Sequence, residues 1–324
     1  MCGSFLIFSL IYGIVYAPTL ALTNSLAFHH LPSVERDFGK VRLWGTFGWI
    51  AVGVGMGHWL GLMHSPADLT GDSLVAAQIA GKADAFRLSG ILGVVMAGFC
   101  LFLPSTPPSR ESKQNAAMEA IGEIRKQPLL ILFLIAVPLS CIHQFYFVHT
   151  EGFLHQKLDA PAFFTSVFGV GGGGFMTIGQ MAEVIVLGFI PFLVTRLSKR
   201  TILSIGLAAY ALRMALFAFF QDSSAALLSG VALHGICFGC FIFVSFMIVD
   251  EHTTKDVRAS AQNLYNLVIV GVGTIVGSMI AGRVAECADG YFQKLFSVPM
   301  YAALACLIIL LLTYPKERAR IQNS

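Results

Sequence analysis

The chain has 324 residues, 56% of them hydrophobic and 12% charged, with a mean hydropathy of +0.74 and a formal net charge of +3. A soluble domain carries about 25% charged residues, so this composition excludes a soluble globular protein and describes a polytopic membrane protein. Alternating polar and apolar segments of about ten residues are absent, which sets aside a β-barrel.

Nine apolar runs read as membrane-spanning helices: 5–25, 43–63, 88–103, 128–148, 164–194, 202–221, 225–249, 261–282 and 296–314. The first lacks a basic stretch ahead of it and a clear cleavage site, so it reads as a retained helix and not a signal peptide. His29 and His30 fall at its far end, where they face solvent. In the second run, VRLWGTFGWI places Arg42, Thr46 and Trp49 at i, i+4 and i+7. A cation, a hydroxyl and an aromatic plane then share one helix face, suited to a ring-shaped polar solute. Interfacial anchoring by the arginine and packing by the tryptophan are the competing explanation. The stretch Pro104 to Gln127 is polar, Pro-rich at its start and then helical in pattern. It separates three spans from six, so the expected organisation is an N-terminal bundle (1–103), an inter-bundle loop (104–127) and a six-helix C-terminal bundle with a tail (128–324).

The fifth run carries Glu183 among otherwise uncharged residues, Phe175 to Val194, with Gln180 three positions earlier on the same face. A carboxylate at that depth costs several kcal/mol unless it meets a polar cavity, so it marks a candidate proton or ligand site. Arg213, in the sixth run, either pairs with a carboxylate or lines the cavity. Gly53 with Gly57 and Gly273 with Gly277 have the spacing that lets helices approach closely. Pro18, Pro138 and Pro191 are candidate kinks. Cys237 and Cys240 form a CxxC in an apolar helix without a second ligand pair, which reads as packing and not as a metal or redox site.

Of the 21 Lys and Arg residues, fifteen fall after spans one, three, five and seven and in the tail, and five in the opposite loops. The C-terminus is therefore expected in the cytoplasm and the N-terminus outside, and the net charge reflects topology and not nucleic-acid binding. Intramembrane catalysis would need a nucleophile with its base or a metal constellation, and neither GxSxG nor HExxH occurs. Nine helices starting outside are unusual for a transporter built from paired repeats, and the pattern suits a twelve-helix protein that begins at its fourth helix.

Four stretches, YAPTLALTNSLAFHHL (16–31), VRLWGTFGWI (41–50), GQMAEVIVLGFIPFLVTR (179–196) and VRASAQ (257–262), resemble the nucleoside:proton symporters of the major facilitator superfamily in order and spacing. The resemblance implies an all-α major facilitator-type bundle equivalent to the last nine of twelve helices, with an N-terminally truncated or mis-started chain. It also implies proton-driven nucleoside uptake across a bacterial inner membrane. We expect a monomer in the lipid bilayer, powered by the proton gradient without a cofactor. By the same resemblance, Arg42, Thr46, Trp49, Gln144, Gln180, Glu183 and Phe238 contact substrate. Three positions depart from the family: Gly239 replaces an aspartate, His234 a tyrosine and Phe147 an asparagine. Proton coupling then falls to Glu183 alone or recruits His234. Another polar metabolite such as a sugar, and a non-transporting membrane protein, are the alternatives. In the expected cycle Glu183 takes a proton outside, the half-bundles rock closed over substrate, and both are released inside.

Overall fold

The computed structural model describes residues 2–32, 34–106, 116–158, 162–170, 172–254 and 257–315. Arg110, Lys113, Lys255, Lys316, Arg318, Arg320 and Gly171 lie outside them.

The elements run α1 (Cys2–His30), α2 (Val34–Met63), α3 (Gly71–Gly81), α4 (Ala83–Cys100), α5 (Ala116–Ile124), α6 (Leu129–Lys157) and α7 (Ala162–Phe168). Then follow α8 (Gly172–Arg196), α9 (Lys199–Phe219), α10 (Ser224–Cys237), a π-helical turn (Phe238–Phe243) and α11 (Val244–Glu251). The chain continues through α12 (Arg258–Asn266), a second π-helical turn (Leu267–Val272), α13 (Gly273–Ala288) and α14 (Phe292–Thr313). No strand occurs among the described residues.

Seven segments among the described residues are long and apolar enough to cross a membrane: Gly71–Cys100, Leu129–Lys157, Gly173–Arg196, Lys199–Phe219, Ser224–Glu251, Ser260–Ala288 and Phe292–Thr313. These cover seven of the nine expected spans. The other two fall on α1 and α2, helices of 29 and 30 residues. Glycine, tryptophan and histidine lower the apolar content of α2 without interrupting it.

Two expected boundaries move. The third span begins well before residue 88, because the expected loop ahead of it folds as α3 and runs into α4 across Lys82. Its Nζ contacts both carboxylate oxygens of Glu151 on α6, each at 2.9 Å. The single expected span 164–194 is two helices, α7 and α8. Gly169 adopts φ +77° at the break, a conformation that favours glycine, and the amide of Val170 donates to the Gly57 carbonyl at 3.1 Å. Hydropathy runs unbroken through apolar glycines, so the interruption has no signature in the apolar pattern.

Two compact units arise from the packing, Met1–Gly48 with Gly90–Ser112, and Trp49–Ser89 with Lys113–Ser324. In the first, side chains such as Ile7, Phe8, Ile14 and Val15 of α1 and Val94, Val95 and Phe99 of α4 are exposed, as surfaces that meet acyl chains would be. The second contains the core. There α9 packs against α10 and α14, α8 against α10, and α13 against α6. Phe153, Phe217 and Phe296 form a buried aromatic triad with ring centroids 4.9–5.5 Å apart. Ser198 and Ser223 cap α9 and α10 by accepting from the amides of Thr201 and Ala226, each cap contributing about 1 kcal/mol.

Both glycine pairs lie at close crossings. A Cβ on Gly53 would collide with Thr177, one on Gly57 with the Phe168 carbonyl, and one on Gly273 with Ser140. One on Gly277 would sit 2.8 Å from Cys141 Cα. Cys237 and Cys240 are free and buried.

Candidate functional site

Glycines set the approach of α8 to α10. A Cβ on Gly179 would lie 2.9 Å from His234 Cβ and 3.1 Å from the Val231 carbonyl oxygen, and one on Gly235 would run into the backbone of Ala182 and Glu183. With no side chain at either position, α10 presents His234 to Glu183.

Glu183 is 6% exposed, and its Oε2 lies 3.7 Å from Nε2 of His234. His234 is itself buried and receives a hydrogen bond at Nδ1 from Nη1 of Arg213, at 3.3 Å. Arg213 has no solvent exposure. Its guanidinium lies over the rings of Tyr146, 4.3 Å from the centroid, and Tyr210, 4.9 Å away. Burying a cation is tolerable when aromatic faces and an opposite charge compensate it. Arginine, imidazole and carboxylate thus stand in line across α9, α10 and α8. Arg213 hydrogen-bonds His234, which in turn lies beside Glu183.

Aromatic rings enclose this chain. His143 on α6 stacks on His234 at 5.5 Å, and its Nδ1 is 2.7 Å from the Tyr210 hydroxyl. Tyr146 stacks on His234 at 5.0 Å. Phe147 meets His143 edge-on at 5.0 Å and lies 6.3 Å from the ring of Trp49. Phe238, at the start of the first π-helical turn, is 6.3 Å from His234. The polar capacity of the site exceeds its internal partners: Gln180 Oε1, Tyr146 Oη, and Nε and Nη2 of Arg213 are buried without a hydrogen-bond partner. Such groups are costly unless something else satisfies them.

The structure therefore gathers Glu183, His234 and Phe238, and reaches Trp49 through Phe147. Gln144 is engaged elsewhere, donating to Ser278 Oγ on α13 at 3.0 Å. Arg42 and Thr46 belong to the other compact unit, where Arg42 is exposed and Thr46 buried. Gly239 faces Val186 and Ile190. His143, Tyr146 and Tyr210 were not expected at the site. Their spacing was informative nonetheless: His143 precedes Tyr146 by three and Phe147 by four, and Tyr210 precedes Arg213 by three, so each set shares a helix face.

Seven described segments are long and apolar enough to cross a membrane, and they bury a cation, an imidazole and a carboxylate in line, with polar groups left over. The family model described as "Nucleoside H+ symporter" matches residues 2–318, and the chain belongs to that family. It is 31% identical to the putative nucleoside transporter YegT of Escherichia coli (strain K12) over 294 residues, 87% of this chain and 63% of that protein. It is 26% identical to nucleoside permease NupG of the same organism, over 86% of this chain and 65% of NupG. The chain thus spans less than two thirds of the length of these relatives. Crystal structures of NupG align with TM-scores of 0.69 for a mutant and 0.65, at 23% identity, covering 93% of this chain and 74% of theirs. A mutant of the Escherichia coli fucose:proton symporter FucP aligns at 0.51 and 13% identity, over 86% and 68%. These likenesses establish the major facilitator-type fold. The chain is a multi-pass membrane protein.

Proposed function

We propose that this chain takes part in proton-coupled nucleoside uptake across a bacterial inner membrane by alternating access. The observation that carries the reading is the burial of Glu183 in a polar cluster within a member of the nucleoside symporter family. Glu183 is the proton carrier: protonated, it moves through the closed site uncharged, and deprotonated, it faces the compensating Arg213 across His234. Trp49, Gln180 and Phe238 offer aromatic faces and an amide to a nucleobase and ribose, and the family resemblance adds Arg42, Thr46 and Gln144 as substrate contacts. The transporter has nine membrane crossings, with α1 and α2 as two of them, the N-terminus outside and the C-terminus cytoplasmic. It divides at 1–103, 104–127 and 128–324, functions as a monomer and needs no cofactor beyond the proton gradient.

Gly239 and Phe147 favour a second reading, in which the solute is another polar metabolite such as a sugar. No carboxylate stands at 239, and Phe147 turns an apolar ring toward Trp49 and His143.

Uptake of labelled uridine and adenosine, with and without a protonophore, tests both in cells lacking their own nucleoside transporters. Protonophore-sensitive uptake that is abolished in Glu183→Gln is expected. Full proton-driven accumulation in that variant removes Glu183 from its role. Absence of nucleoside uptake, with the protein present in the membrane, turns the search to sugars or to a non-transporting role.

A further inference from the structure

The contact between Arg213 and His234 constrains chemistry as well as position. A guanidinium carries donors only and stays protonated in proteins. Nδ1 of His234, 3.3 Å from Nη1, must therefore be unprotonated and accept. The proton of a neutral imidazole then resides on Nε2, the nitrogen facing Oε2 of Glu183. A doubly protonated ring would oppose one N–H to another and set a second cation beside Arg213, in a site where neither residue reaches solvent.

The neighbouring groups come from three helices. Glu183 faces the ring from α8, Arg213 from α9, and His143 and Tyr146 from α6, with Tyr210 of α9 behind His143, while Cys237 lies buried one turn along α10. Tyr146 and His143 stack against the imidazole and hold its plane. Nδ1 of His143 is itself occupied by the Tyr210 hydroxyl. The only carboxylate among these groups is Glu183, and it approaches Nε2, not Nδ1.

We propose that Arg213 locks His234 as a neutral Nε2–H tautomer, so that His234 is a positioning residue that donates toward the Glu183 carboxylate and does not itself carry the transported proton. The separation of 3.7 Å is longer than a hydrogen bond, and a movement of about 1 Å closes it into one. Charged Glu183 is then held by a donor whose orientation Arg213 enforces from behind. Protonation of Glu183 removes the charge that this contact serves. The part of this inference that concerns coupling rests on Glu183 as the proton carrier, whereas the tautomer assignment stands independently of transport.

The experiment has two arms. In the first, purified protein labelled with 15N-histidine in lipid nanodiscs is titrated by NMR between about pH 5 and 8, the range in which an ordinary histidine changes charge. The His234 signals are assigned by their loss in His234→Gln. They are expected to keep the neutral Nε2–H pattern throughout, while Arg213→Met, by removing the donor, allows titration or tautomer exchange. Titration of His234 in the unaltered protein, or an Nδ1–H pattern, overturns the proposal, whether or not the arginine variant folds.

The second arm is proton-driven uptake by His234→Gln, whose amide can accept from Arg213 and donate to Glu183. Coupling is expected to survive with a shifted pH profile and a rate within about tenfold, because the amide keeps both contacts in poorer alignment. Uptake that no longer responds to the proton gradient in this variant, with substrate still transported, makes His234 a carrier and overturns the proposal. If the unaltered protein transports no nucleoside, the functional reading fails, and the NMR arm still decides the tautomer.

Discussion

Val186 fills the space beside Gly239: a Cβ built on that glycine would lie 2.6 Å from Val186 Cγ1. An aspartate there, as the resemblance to nucleoside symporters would place, finds no room on this backbone. Gly239→Asp is therefore expected to lower stability by about 1–3 kcal/mol from overpacking alone. The decrease is read as a lower melting temperature of the detergent-solubilised protein. Val186→Ala in the same chain should recover part of the loss. An unchanged melting temperature in the single variant would mean that α8 and the π-helical turn at 238–243 separate easily, and that an acid could have been accommodated. Arg42 poses a different question, because its charge serves equally to anchor α2 and to hold a solute. If it contacts substrate, Arg42→Ala removes a charged hydrogen bond worth about 1.5–3 kcal/mol and raises KM roughly tenfold or more. Membrane insertion, followed by quantitative blotting, should be unaffected. An unaltered KM assigns Arg42 to anchoring.

Several helix crossings in this protein are set by glycine. Gly273 and Gly277 of α13 face Ser140, Cys141 and Gln144 of α6, and Gln144 completes the crossing through Ser278. Gly277→Val would push a branched side chain against Cys141 Cα and Gln144 Cβ, at 2.8 and 2.9 Å from the added Cβ. We expect a lower melting temperature and a disturbed Gln144 contact, seen as reduced uptake with protein still in the membrane. Wild-type stability and transport in this variant would show that α6 and α13 need not pack so closely. The glycine spacing was legible in the sequence because a four-residue period fixes which positions share a face. Which helix each face meets was not, since α13 and α6 are far apart in the chain. The same limit hid the site's central contact. Arg213 and His234 are each recognisable as polar residues inside apolar runs, but only the packing of α9 against α10 joins them. Glu183 was legible for the opposite reason, because a lone carboxylate in such a run is anomalous by itself. The break between α7 and α8 leaves no mark in the hydropathy, because glycine interrupts a helix through its backbone.

At the scale of the whole molecule the proposed transport direction depends on orientation, and two native thiols report it. Cys287 is exposed near the end of α13, just before the turn in which Asp289 and Gly290 take positive φ and lead into α14. Cys100 is exposed at the end of α4, immediately ahead of the stretch that holds Arg110, Lys113, Arg125 and Lys126. In the proposed orientation, which rests on the excess of basic residues on the Cys100 side, that side is cytoplasmic and Cys287 lies outside. In a Cys2→Ser background, a membrane-impermeant maleimide should label Cys287 in spheroplasts and leave Cys100 unmodified until the membrane is permeabilised. Cys287→Ser should abolish the labelling of sealed spheroplasts. The reverse pattern would invert the topology, and with it the direction of the expected cycle: Glu183 would then load its proton from the side now assigned to release. Because the arrangement of Arg213, His234 and Glu183 is internal to the bundle, it survives such an inversion unchanged. The labelling result thus decides the direction of proton flow separately from the identity of the group that carries the proton.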